Sequence, residues 1–100
     1  MTTPEQFIDS IIQHDMKPVF SDMREIRDKL LRDIGDNQEL LFSFLSFERD
    51  YLVAMCIKMA KRQFTEANLE KMGIDNILEF ERECLRLIPQ KVQSASAQVR

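Results

Sequence analysis

Apolar residues recur through the first third of the chain at Ile8, Ile12, Met16, Val19, Met23, Ile26, Leu30 and Ile34. At a helical 100° per residue these positions fall within an arc of about 80°, so they share one face of an α-helix. Ile12–Val19–Ile26 and Met16–Met23–Leu30 repeat every seven residues, the pattern of a coiled-coil seam. A stripe of this length has to be covered, and with no strand pattern in the sequence an all-α fold is expected. Thr3-Pro4-Glu5-Gln6 is a strong start for this helix. Threonine caps, proline suits the first helical position, and glutamine reaches back to the cap. Pro18 interrupts the stripe without changing its phase on a regular projection. The expectation is one long helix from Pro4 to Ile34, kinked at Pro18, at a cost of about 3 kcal/mol for an interior proline. The rival reading stops the helix near His14 and restarts it at Pro18.

Gly35 can close this helix in the left-handed conformation, and Asp36-Asn37-Gln38-Glu39 opens another. So short a connection makes the two helices antiparallel neighbours. The second helix is expected to run from Asn37 to Arg62 or Gln63. Its inward series, Leu41, Leu45, Glu48, Leu52, Met55 and Met59, lies opposite the first seam when the hairpin is folded at Gly35–Asp36. Thr65 is expected to cap a short helix ending at Gly73. Asp75 is expected to cap a last one running to Ile88, with Ile77, Phe80, Cys84, Leu87 and Ile88 on its apolar face and Pro89 as its stop. This gives a single helical domain over residues 1–89. The sequence QKVQSASAQVR that follows, residues 90–100, reads as a frayed or disordered polar tail.

Only two glycines and three prolines interrupt the 100 residues, in keeping with long helices and short turns. With 44% apolar and 31% charged residues the chain is globular, and its length suits one modest core. The net charge of −3 and the alternation of Arg24, Arg27, Lys29 and Arg32 with Asp22, Glu25, Asp28 and Asp33 argue against a nucleic-acid binder. Cys56 and Cys84 sit inside apolar helical patterns and define no disulfide framework, which suits free thiols in a reducing compartment. The N-terminal residues carry neither a basic region nor an apolar run, so a cytoplasmic location is expected.

The run LLFSFLSFERDYLVAMCIKM, from Leu40 to Met59, is more apolar than one buried face requires. It has the length of a membrane span, about 20 residues. Glu48, Arg49 and Asp50 near its centre make spanning too costly. The seam with the first helix uses one strip. A second strip, Leu40, Phe44, Phe47 and Tyr51, suits the last helix, and Phe42, Val53 and Ile57 form a third. A helix apolar nearly all round is normally enclosed, and one short chain supplies too few elements to enclose it. The excess points to a subunit interface over Leu40, Phe42, Phe44, Phe47, Tyr51, Val53 and Ile57, in a homodimeric helical bundle built from two hairpins.

Among polar residues Glu48 stands in the seam, where a carboxylate needs a partner. Arg24 or Arg27 on the first helix is in reach. Glu81 lies similarly within the apolar arc of the last helix. Bundle metal sites draw on Glu-x-x-His, which does not occur here, so structural pairing is expected, with neither a metal nor a cofactor. His14 is the only histidine and opens the sequence HDMKPV. This is similar to the phosphoacceptor box of histidine kinases, one residue shorter between the base and the proline. The resemblance implies an exposed phosphoacceptor imidazole, with Asp15 managing its proton. The leading expectation from the whole sequence is a non-enzymatic interaction or regulatory protein (adaptor, chaperone or antagonist) that self-associates and binds another protein. Histidine phosphotransfer at His14 is the alternative.

Overall fold

The computed structural model describes residues 2–98, which form helices joined by short turns, with no strand among them. In chain order they are α1 (Pro4–Ser10), a π-helical turn (Ile11–Asp15), α2 (Lys17–Ile34), α3 (Gln38–Gln63), α4 (Glu66–Lys71) and α5 (Ile77–Gln98). The molecule is a rod of 52 × 20 × 19 Å.

Thr3 and Gln6 form the capping box: the Thr3 hydroxyl accepts from the Gln6 backbone N–H at 3.1 Å, and Gln6 Oε1 accepts from the Thr3 N–H at 3.1 Å. The first rod neither runs straight nor breaks. Before Pro18 it widens, the Met16 N–H donating to the Ile11 carbonyl at 2.9 Å in place of that of Ile12. The wider turn inserts one residue into the helical repeat. The buried face therefore passes through Phe7, Ile8 and Ile11, skips to Met16, and continues at Phe20 and Met23. This corrects the uniform stripe expected above: Phe7, Ile11 and Phe20 are core residues, whereas Ile26 is 51% exposed. The π turn does not keep the 100° per residue of a regular α-helix, so the buried face changes phase there.

Gly35 closes α2 at φ +56°, a conformation open to glycine at little cost. Asn37 caps α3, its Oδ1 accepting from the Leu40 N–H at 3.1 Å. The fully buried residues of α3 are Glu48, Leu52, Cys56 and Ala60, while Met55 and Met59 are half-buried. The buried line drifts because α3 is covered by the first rod on one side and by α5 on another. Thr65 caps α4. Gly73, at φ +72°, closes it with N–H bonds from Gly73 to the Glu70 carbonyl and from Ile74 to the Leu69 carbonyl, both at 3.0 Å. Asn76, rather than Asp75, caps α5 by accepting from the Glu79 N–H at 3.1 Å.

The expected stop at Pro89 and the tail over residues 90–100 are also corrected. Pro89 lies inside α5, which continues to Gln98; Val92 is 1% exposed and Ala95 packs on the core. Residues 99 and 100 lie outside the described ones. The helix persists because burial of Leu85, Ile88, Val92 and Ala95 at 3–4-residue spacing outweighs the one hydrogen bond that proline removes. At the base of the rod the rings of Phe7, Phe64 and Phe80 pack together, with centroids 5.5–6.4 Å apart. Above them the core continues through Ile8, Cys56, Cys84 and Ile88 to Leu52, Val92 and Met23.

Candidate functional site

α5 runs beside α1 in the same direction and against α3, and its last residues, Ala95 and Ser96, come level with Phe20, Met23 and Arg24 of α2, short of the hairpin tip. Ser96 and Ala97 border a cavity of about 250 Å³ with Leu45, Glu48 and Leu52. Beyond that level α2 and α3 have only each other for cover, and two helices cannot enclose a core. Ile26, Leu31, Leu40 and Phe42 are exposed there, Phe42 by 68%; Phe47, 58% exposed, and Tyr51 are exposed at the level where α5 ends. The rings of Phe47 and Tyr51 stack on the surface with centroids 5.9 Å apart and planes 23° from parallel. Stacked aromatics at i and i+4 hold each other's rotamers, giving a rigid apolar projection.

On the helical projection these residues divide into two faces. Ile26, Leu40, Phe47 and Tyr51 lie on the side of the hairpin turned away from α5. Leu31 and Phe42 lie on the side that continues the path of α5. Of the other residues expected at an interface, Phe44, Val53 and Ile57 are half-buried and pack against the core.

Glu48 sits where the three-helix body gives way to the two-helix tip. It is 4% exposed, the one buried charged residue among the described ones. Arg27 Nη1 donates to its Oε1 at 3.2 Å, and its Oε2 is buried without a partner. A cavity of about 10 Å³ borders the pair between Phe20, Met23, Arg24 and Leu52. That is room for about one water molecule, and Glu48 also borders the cavity of about 250 Å³ beside the end of α5. Arg24 is exposed and Glu81 half-buried, so neither belongs to a buried polar pair.

His14 and Asp15 lie in the π turn, both exposed. Asp15 is engaged by α3: the Gln63 amide donates to its Oδ2 at 2.9 Å. Burial pushes the Cys56 thiol up to about 11 and the Cys84 thiol up to about 12, so both stay protonated and unreactive at neutral pH. Among the described residues no group of three or more His, Cys, Asp or Glu side chains is arranged to hold a metal ion. No helix among them is long and apolar enough to cross a membrane.

The level at which α5 ends is not the one Pro89 predicts, because the helix runs through the proline. The signal was present: Leu85, Ile88, Val92 and Ala95 keep helical spacing straight through the proline. No family model, curated protein or solved structure matches the chain.

Proposed function

We propose that the protein is a non-enzymatic interaction protein that self-associates through the distal half of its α2–α3 hairpin. The observation that carries this reading is the surplus of exposed apolar side chains on the hairpin: Leu31 and Phe42 where it outruns α5, and Ile26, Leu40, Phe47 and Tyr51 on the side turned away from α5. Apolar patches of this kind mark association surfaces in water. The remaining chemistry supports the same reading. The thiols are buried, and the one buried carboxylate among the described residues is tied to Arg27. Phosphotransfer at His14 is the weaker alternative, because Asp15 is already engaged by Gln63. Light scattering across the micromolar range is expected to give a mass above that of one 11.8 kDa chain, rising with concentration. A monomer at every concentration overturns the reading. An acid-labile phosphate that disappears in His14→Gln would favour the alternative instead.

A further inference from the structure

The side of the hairpin turned away from α5 has the form of half a four-helix bundle: two antiparallel helices presenting one apolar face. Taking about 200 Å² for each large side chain, the exposed fractions of Ile26, Leu40, Phe47 and Tyr51 give roughly 400 Å² of apolar surface per copy. A stable interface buries about 800 Å² per partner, somewhat over half of it apolar. The face therefore has nearly the apolar area that a pairwise interface needs.

Its charges fix the orientation. Folding about Gly35–Asp36 sets Ile26 level with Leu45, so the centre of the patch lies at Ile26 on α2 and between Phe44 and Phe47 on α3. A two-fold axis through that level, perpendicular to the helices, lays α3 on α3 and α2 on α2 in antiparallel pairs. Phe44 then meets Phe47 of the second copy, Leu40 meets its Tyr51, and the two Ile26 side chains meet at the axis. At the rim, Asp22 falls opposite Lys29 of the second copy. Both are exposed, and neither is in an ion pair within its own chain among those described. An isologous contact makes that pairing twice. We infer that this face seats a second copy of the chain in an antiparallel two-fold dimer, centred on Ile26 and the Phe47–Tyr51 stack and oriented by Asp22 and Lys29. The seat rests on the self-association reading above and specifies its face and register.

The full chain is tested by sedimentation equilibrium at low salt, with circular dichroism confirming that each variant keeps its helix content. Phe47→Asp is expected to raise the dissociation constant more than tenfold, while Phe42→Asp, on the other side, changes it less than twofold. Asp22→Lys alone is expected to weaken the dimer about threefold, and adding Lys29→Asp to restore it. A dimer that survives Phe47→Asp but is lost in Phe42→Asp overturns this seat and leaves self-association standing. Failure of the double charge reversal to recover overturns the antiparallel register. A monomeric wild type at every concentration overturns the underlying reading as well.

Discussion

Arg27 and Glu48 form the most deeply buried ion pair among the described residues. Their side chains are 12% and 6% exposed, so the carboxylate has little water to fall back on. Removing one partner from a buried pair leaves an uncompensated charge, whereas replacing both with apolar side chains of similar size is often neutral or better. Arg27→Met is therefore expected to destabilise the fold by about 3 kcal/mol in urea titrations. Arg27→Met combined with Glu48→Leu is expected to return to within about 1 kcal/mol of the wild type. Equal losses in the single and double variants would mean that Arg27 acts by packing alone. From sequence, Glu48 was identifiable as a polar residue in an apolar row, and an arginine of the first helix as its partner. The choice of Arg27 over Arg24 was not, because it depends on the rotation that the π turn gives to α2.

That turn is the clearest case of an element whose existence was legible while its geometry was not. The capping residues Thr3, Asn37 and Thr65 are written in the sequence and close their helices as local chemistry requires. The extra residue before Pro18 is not, since Ile12 and Met16 keep regular helical spacing while the core uses Ile11 and Met16 instead. Only the competition between neighbouring apolar residues for one core decides which spacing wins. Deleting exposed His14 brings Ile11 and Met16 to four-residue spacing, the spacing of a regular α-helix. The variant is expected to fold with a melting temperature within about 5 °C of the wild type, a change of about 1 kcal/mol for a domain of this size. Deleting Ser21 instead rotates Met23 and Arg27 by about 100° away from α3, and the cooperative thermal transition followed by circular dichroism is expected to disappear. A cooperative melt in the Ser21 deletion would show that the rod can slip its phase freely. The extension of α5 past Pro89 has the same origin: tertiary burial of Val92 overrides a local stop signal.

At the scale of the whole molecule, the rod joins a three-helix body to a two-helix tip, and the two ends differ in how much apolar surface they bury. Ile8, Cys56, Cys84 and Ile88 in the body are fully buried, whereas Leu40 and Phe47 near the tip are more than half exposed. Local opening follows buried contact. Amide hydrogen exchange is therefore expected to be at least tenfold faster for residues 28–44 than for residues 52–60 and 80–92 at low protein concentration. Protection in the tip is expected to rise with concentration while the body stays unchanged. Uniform protection along the hairpin would contradict this division. The all-helical character was legible from the scarcity of breakers and the spacing of apolar residues. The division itself was not, because it turns on where α5 ends.

The Arg27–Glu48 pair stands at that boundary, and it separates two kinds of heritable change. Substitutions below it disturb the packing that every copy needs in order to fold. Substitutions of the exposed side chains above it, such as Leu31, Leu40 and Phe42, leave that packing alone. Exchanging exposed side chains of the tip is therefore expected to leave the melting temperature almost unchanged, whereas the same exchange at a buried position of the body is not.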